Sequence, residues 1–159
     1  MTAILAVAQR GEAILTLQAA EVAQHELNTT WLEQLALAMQ ATMLARNGVG
    51  IAAPQVYISK RIIIVASRPN PRYPDAPEMP AVTMINPEII EYSTESCSGE
   101  EGCLSVPEQR GQVERAYAVK VRYLNLQGEQ IEQFYEGFPA RIVQHEIDHL
   151  NGILFVERL

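Results

Sequence analysis

The run His145-Glu146-Ile147-Asp148-His149 constrains this chain more than any other part of its sequence. Residues four apart lie one above the other on a helix, so His145 and His149 can present two imidazoles to one metal ion. Glu146 lies beside them, where its carboxylate can act as a base toward a water molecule at the metal. The ordinary alternative is a pair of core histidines next to solvated acids. We favour the metal site, because the run falls inside a predicted helix.

Two helices are predicted from hydrophobic spacing and end signals. The last helix begins near Pro139, whose fixed φ suits the first helical position, and ends where Asn151-Gly152 supplies a C-cap. The first helix spans 30–46, where apolar residues recur at helical spacing. Thr30 and Glu33 indicate a capping box at its start, and Asn47-Gly48 indicates its end.

Between and after the helices, short runs of β-branched, apolar or alternating residues predict strands. These runs are 61–66, 82–85, 89–92, 117–123 and 130–135. Residues 67–80 contain five prolines and are predicted to form a surface loop, and 125–128 a turn. We therefore predict an α+β fold, with mostly antiparallel strands packed around a C-terminal metal-binding helix and a second, N-terminal helix. The length suits one catalytic domain over 1–159.

Charge and hydropathy exclude several classes of function. The formal net charge is -7 and no basic run exists, so we expect no direct contact with nucleic acid. Residues 1–8 lack the basic start of a signal peptide, and no uncharged stretch is long enough to span a bilayer. We expect a cytoplasmic protein with no membrane contact. Cys97 and Cys103 would then stay reduced thiols.

A catalytic metal site with two histidines needs a third protein ligand. The metzincin pattern fails, because Phe155 stands where a third histidine would be, and Glu157 lies next to the chain terminus. Upstream, Cys103 lies in a glycine-containing segment, 101–107, that closes at a proline, and a metal would deprotonate its thiol. The alternative for Cys103 is a small buried hydrophobe. Cys97 has no motif around it and is interpreted as a packing residue.

A third segment, 48–55, follows the first helix directly. Its two glycines, Gly48 and Gly50, let backbone approach a ligand, and Gln55 adds an amide that can donate to a developing oxyanion. The alternative is a helix C-cap followed by a loop. A phosphate loop is excluded, since no strand precedes the segment and no lysine follows it.

In this order, the three segments resemble the peptide deformylase family. Its marks are Gly-x-Gly-Leu-Ala-Ala-x-Gln, Glu-Gly-Cys-Leu-Ser and Gln-His-Glu-x-Asp-His, which stand here at 48–55, 101–105 and 144–149. Ile51 replaces the commoner leucine. The resemblance covers the chain from about residue 30 to the end. It implies a hydrolase that removes the N-formyl group from the N-terminal methionine of nascent polypeptides and releases formate.

The resemblance also implies roles for single residues. Cys103, His145 and His149 would bind one divalent metal, with Glu146 as the base and Gln55 and the Leu104 N–H at the oxyanion. The peptide path and methionine pocket would be lined by Val49, Gly50, Gly102, Arg110, Phe138, Ile142 and His145. Arg115 would pair with Asp148 behind the site. The expected metal is Fe(II), with Zn(II), Ni(II) or Co(II) possible, and the expected protein is a monomer that acts on formylmethionyl peptides, including ribosome-associated chains.

Two departures leave questions open. Many bacterial members continue past the position of Leu159 with another helical segment, and the 67–80 loop is long for a compact member. This loop either borders the substrate entrance or merely tolerates insertion. Two other functions also stay open: a small metallopeptidase or amidase of different specificity, and a catalytically silent paralogue that binds metal and peptide.

Overall fold

The protein is described by a computed structural model over residues 3–159. Met1 and Thr2, with which the stretch 1–8 begins, lie outside the described residues. Within residues 3–159 there are two α-helices, α1 at Thr30–Ala45 and α2 at Phe138–Leu150. Neither is long and apolar enough to cross a membrane. Short 3₁₀ turns occur at Ala13–Thr16, Gln24–Glu26, Ala53–Val56 and Phe155–Arg158.

The described strands form two antiparallel sheets. The strands are β1 Gly50–Ala52, β2 Ile62–Ser67, β3 Met79–Tyr92, β4 Ser96–Cys103, β5 Val106–Ala116, β6 Ala118–Leu124 and β7 Gln130–Glu136. Five of them pair in the order β1-β2-β3-β6-β7, and β4 and β5 form a separate hairpin. The predicted α+β architecture with mostly antiparallel strands is therefore confirmed.

Helix α2 lies between the larger sheet and the β4–β5 hairpin, and it contacts β1, β2, β5 and β7. Every residue from Ala140 to Leu150 is buried. Its apolar side packs against β2 and β6 in the main core, through residues such as Val143, Leu150, Ile63 and Val121. Because a helix buried on all sides cannot leave polar groups to water, its histidines, acids and arginine need partners inside the protein.

Strand β3 differs from the prediction of two strands at 82–85 and 89–92. It is one strand that crosses Asn86-Pro87 with shifts in its pairing to β6. Asn86 takes the left-handed conformation, φ 50°, and its side chain exchanges two hydrogen bonds with the backbone of Val22, at 2.8 and 3.1 Å. A bulge thus accommodates the asparagine and proline without ending the strand.

Sequence patterns missed the β4–β5 hairpin, because β4 is rich in glycine, serine and glutamate and has no apolar alternation. The capping prediction at α1 was wrong by one residue. Thr29 is the N-cap, and its hydroxyl accepts a hydrogen bond from the Leu32 N–H at 3.2 Å. The predicted surface loop was also too long at both ends, since Ser67 is a buried residue of β2 and β3 begins at Met79.

The N-terminal segment provides a test of packing near the site. Leu15 is 1% exposed in a cluster with Cys103 and Phe155, whereas Leu17, two residues later, is 50% exposed. We expect Leu15→Ala to lower the free energy of unfolding by about 3 kcal/mol, because it leaves a cavity. Leu17→Ala should change it by less than about 0.5 kcal/mol. Urea unfolding of both metal-loaded variants measures the difference, and equal losses would contradict this packing.

Candidate metal centre and catalytic pocket

Three buried side chains that could hold a metal ion converge between the hairpin and α2. Cys103 is the last residue of β4, and His145 and His149 lie one helical turn apart on α2. One ligand atom from each lies within 4.8 Å of the others, and Cys103 Sγ is 3.4 Å from His149 Nε2. A thiolate with two imidazoles suits a tetrahedral divalent ion that keeps one position open. The residues therefore fit the metal that the sequence predicts.

The electrostatics of Cys103 also fit a thiolate ligand. Burial alone would raise the pKa of the thiol, but the charge of His149 and hydrogen bonds from both histidines outweigh it. The pKa of Cys103 therefore lies well below its ordinary value. Cys97, in contrast, accepts hydrogen bonds from Arg141 Nη2 with its carbonyl oxygen and its sulfur, at 2.8 and 3.6 Å.

Glu101 orients the first histidine. Its Oε1 lies 2.9 Å from His145 Nδ1, which leaves His145 Nε2 for the metal. Arg115 donates to the same carboxylate through Nε and Nη2, at 2.8 and 2.9 Å, and Arg141 Nη1 donates at 2.8 Å. Burial alone would raise the pKa of Glu101, but hydrogen bonds from Arg115 and His145 lower it far below its usual value. Glu101 is therefore a buried anion.

Behind the centre, Arg115 Nη1 donates to Asp148 Oδ2 at 2.7 Å, so the contact that the resemblance implied is present. Asp148 also accepts from Arg158 Nε and Nη2, at 2.6 and 2.9 Å. These contacts join α2 to the hairpin and to the chain segment after α2. They hold the metal-binding helix against β5.

Glu146 has a buried carboxylate. Within residues 3–159 its Oε1 has no hydrogen-bond partner. Burial raises the pKa of Glu146 above its ordinary value, although the charges of His145 and His149 act in the opposite direction. Gly50 explains how the carboxylate fits, because a Cβ there would lie 2.8 Å from Ile142 Cγ2 and would overlap the Glu146 carboxylate.

Gln55 lies in the 3₁₀ turn after β1 and is 1% exposed. Its Oε1 accepts a hydrogen bond from the Ala52 N–H at 2.9 Å, which fixes the amide so that Nε2 faces the metal centre. Nε2 lies 3.1 Å from Ser105 Oγ and 3.5 Å from Cys103 Sγ. Leu104 follows Cys103 in the turn between β4 and β5. The two predicted oxyanion residues thus flank the same sulfur.

A pocket opens beside this centre. Val49, Gly50, Phe138 and Ile142 line it together with Gly102, Cys103, Leu104, Gln55, His145 and Glu146. Arg110 does not line this pocket. It lies over the Tyr73 ring, 4.7 Å from the ring centroid, in a neighbouring cleft.

The proline-rich loop borders the pocket. Tyr73 and Arg72 line the pocket wall. The Tyr73 hydroxyl accepts a hydrogen bond from the Gly102 N–H at 3.1 Å, and its ring lies 5.0 Å from that of Phe138.

Sequence reasoning assigned no role to Glu101, Arg141 or Tyr73. Glu101 stands inside a recognised segment, and a search for a carboxylate partner of His145 would have identified it as a candidate. Arg141 lies one helical turn before His145, but nothing in the sequence indicated that this arginine is buried. Tyr73 lies in a loop without periodicity, so only the folded chain reveals its position.

Comparisons with known proteins agree with this geometry. The family model described as polypeptide deformylase matches residues 4–159. Peptide deformylase 2 of Nostoc sp. is 49% identical over 156 residues, which are 98% of this chain and 86% of that protein. Peptide deformylase 2 of Shewanella oneidensis is 51% identical over 154 residues, 97% of this chain and 83% of that protein.

Solved structures share the fold. The class I type b peptide deformylase from Acinetobacter baumannii, with Met-Ala-Ser bound, matches with a TM-score of 0.98 and 74% identity over 100% of both chains. The peptide deformylase from Thermotoga maritima matches with a TM-score of 0.86 and 37% identity, over 98% of this chain and 97% of that one. The chain therefore belongs to the peptide deformylase family, metal-dependent hydrolases that remove the N-formyl group from polypeptides.

Proposed function

We propose that this chain deformylates the N-terminal methionine of nascent polypeptides with Glu146 as base, Gln55 and Leu104 at the oxyanion, and Cys103, His145 and His149 as metal ligands. The single observation that carries the proposal is the convergence of the three ligand atoms within 4.8 Å beside a buried carboxylate that has an unpartnered oxygen in the described chain. A protein that only bound peptide would need neither the free carboxylate of Glu146 nor the fixed amide of Gln55.

The proposed metal is Fe(II), with Zn(II), Ni(II) or Co(II) as other occupants. One thiolate and two imidazoles accept each of these ions, so the preference for iron rests on the family. When bound, the ion supplies Lewis acidity, which favours deprotonation of water and polarises the formyl oxygen. Glu101 supports this role, because it fixes the ring of His145 through Nδ1.

Separate residues of the protein carry out the proton transfers and stabilise the oxyanion. Glu146 takes a proton from the attacking water as the water oxygen bonds to the formyl carbon. The amide of Gln55 and the N–H of Leu104 donate hydrogen bonds to the oxyanion that forms. When the carbon–nitrogen bond breaks, Glu146 gives the proton to the leaving amine, and formate and a free N-terminus are released. The raised pKa of Glu146 suits a group that both accepts and returns a proton.

The pocket is proposed to hold the methionine. Val49, Phe138, Ile142 and His145 border the space for its side chain, and the backbones of Val49, Gly50 and Gly102 lie along the peptide path. The bound Met-Ala-Ser in the structure from Acinetobacter baumannii supports a methionine-first peptide here as well. Because formyl is so small, a tight site excludes internal peptide bonds by sterics.

The remaining proposals concern context. We propose that residues 1–159 form one catalytic domain that works as a monomer in the cytoplasm on ribosome-associated chains, with no direct contact to nucleic acid. The formal charge of -7 supports the absence of nucleic-acid binding. Arg110, which resemblance placed on the peptide path, is proposed to contact residues beyond the methionine.

The function is tested by formate release from formyl-Met-Ala-Ser, with anaerobic protein loaded with Fe(II). We expect turnover by the wild-type chain and a loss of several orders of magnitude in Glu146→Ala, because the base is missing while the ligands remain. Metal content measured on the same samples should stay near one ion per chain.

Acetyl-Met-Ala-Ser serves as the control substrate and should react far more slowly. Equal rates on the two peptides would indicate an amidase of other specificity, and absent turnover with bound metal would indicate a silent paralogue. Equal rates in wild type and Glu146→Ala would remove Glu146 as the base.

Gly50 tests the placement of the Glu146 carboxylate. Gly50→Ala should lower kcat about 100-fold, because the new Cβ would overlap the Glu146 carboxylate and displace it from its catalytic position. The same Cβ would lie 2.8 Å from Ile142 Cγ2. Gly48→Ala is the matched control, since its Cβ would contact Leu104 Cδ1, Met43 Cγ and the Met43 carbonyl oxygen, at 3.1, 3.2 and 3.4 Å, and not the Glu146 carboxylate. Similar losses in both variants would contradict the assigned position of Glu146.

Exposure to air tests the metal proposal. We expect the Fe(II)-loaded protein to lose activity in aerated buffer through oxidation of the iron or of Cys103, while a Zn(II)- or Ni(II)-loaded sample loses less. Activity over time and the mass of the Cys103 peptide measure both routes. Unchanged activity of the iron-loaded protein after prolonged aeration would argue against this assignment.

A further inference from the structure

A second cleft adjoins the catalytic pocket and shares Arg72, Cys103 and Leu104 with it. Its volume is about 480 Å³, enough for a few side chains. Arg46, at the end of α1, and Arg110, on β5, form its other walls. Because the cleft begins at a metal ligand, a peptide that leaves the pocket on this side enters it directly.

The charge of this cleft is opposite to that of the protein. The chain carries a net charge of -7, yet three arginines and no acidic residue line the cleft. Within residues 3–159, no carboxylate lies within 4.0 Å of the Arg46 or Arg72 guanidinium. Arg110 contacts Glu100 at 3.5 Å, but the Glu100 side chain is 56% exposed, so solvent screens that pair. The cleft therefore holds uncompensated positive charge.

The backbone of Arg72, on the proline-rich loop, and the side chain of Arg110, on β5, are held in place. The Arg72 N–H donates to Asn70 Oδ1 at 2.9 Å, and the Arg72 carbonyl accepts from Arg110 Nη2 at 3.2 Å. Both guanidinium groups lie near the Tyr73 ring, 5.7 Å from its centroid for Arg72 and 4.7 Å for Arg110. Groups ordered in advance lose less entropy when they bind a ligand.

We propose that this cleft receives the residues that follow the N-terminal methionine and favours acidic side chains there, with Arg46 and Arg72 as determinants of that specificity. The inference rests on the proposed function, since it concerns the substrate of the same site. In an extended peptide the third residue lies roughly 7 Å beyond the first, which carries it past Leu104 into the cleft. A different cleft is the competing exit, and its two acidic residues are balanced by two arginines, so it should show no acidic preference; it is lined by Arg72, Asp75, Glu100, Phe138 and Arg141 among others.

The experiment compares kcat/KM for formyl-Met-Ala-Asp-amide, formyl-Met-Ala-Asn-amide and formyl-Met-Ala-Lys-amide. The amides remove the terminal carboxylate, and asparagine matches aspartate in shape without its charge. We expect the aspartate peptide to exceed the asparagine peptide about fivefold at low salt, through KM more than kcat, and the lysine peptide to be poorest. The preference should vanish near 0.5 M salt, where screening is strong.

Arg46→Gln and Arg72→Gln should each reduce the Asp-to-Asn ratio, and the double variant should bring it to about one. Arg68→Gln, which removes the same charge at a residue outside the cleft, should keep the wild-type ratio. A ratio of one in wild type, or one that persists in the double variant, would overturn the proposal. Preference for lysine would show that the peptide does not meet the positive charge of this cleft and would also overturn the proposal.

Turnover of the asparagine peptide separates this proposal from the proposed function. If no peptide is turned over, the function fails, and the cleft is then judged by calorimetry with Met-Ala-Asp-amide and Met-Ala-Asn-amide. Tighter binding of the aspartate peptide, lost in the double variant, supports the acidic preference. Equal affinities contradict it.

Discussion

The buried carboxylate of Glu101 is the interaction on which the rest of the site depends. It accepts hydrogen bonds from Arg115 and Arg141 and lies 2.9 Å from His145 Nδ1. A buried carboxylate with no cationic partner would be too costly to stay ionised, and removing one partner of a buried ion pair typically costs about 3–5 kcal/mol. Here the partners come from β5 and α2, so one charge joins the hairpin to the metal-binding helix. The same charge sets which nitrogen of His145 faces Cys103.

The burial of α2 also affects the charged groups next to the metal ligands. Residues 140–150 of this helix are buried, so charges there interact more strongly than at a surface. Glu146 has a raised pKa because of this burial, and Gly50 leaves the space that its carboxylate occupies. On another side, the hairpin turn and the proline-rich loop line the pocket through Leu104, Arg72 and Tyr73. The core therefore sets the pKa of Glu146, while the loop and the hairpin turn form part of the pocket wall.

Much of the site could be predicted from sequence, because its parts are local. The spacing of His145 and His149 follows from helix geometry, and Cys103 was found by asking for a third ligand. The fold class was predicted from two helical stretches and several short β-branched runs. The β4–β5 hairpin could not be predicted, since its glycines and glutamates carry no alternation and only long-range pairing, such as Cys97 with Arg115, orders them. The positions of Arg141 and Tyr73 could not be predicted for the same reason, because their partners are distant in sequence. Burial of an arginine also contradicts the usual preference of this residue for the surface.

X-ray absorption at the metal edge tests the convergence of Cys103, His145 and His149 most directly. The protein would be loaded with one equivalent of Zn(II), which does not change oxidation state, and compared with Cys103→Ser. We predict a sulfur scatterer together with imidazole nitrogens in the wild-type spectrum, and loss of the sulfur contribution in the variant. A wild-type spectrum with nitrogen and oxygen neighbours alone would show that the thiolate does not bind the ion, and would contradict the metal centre described above.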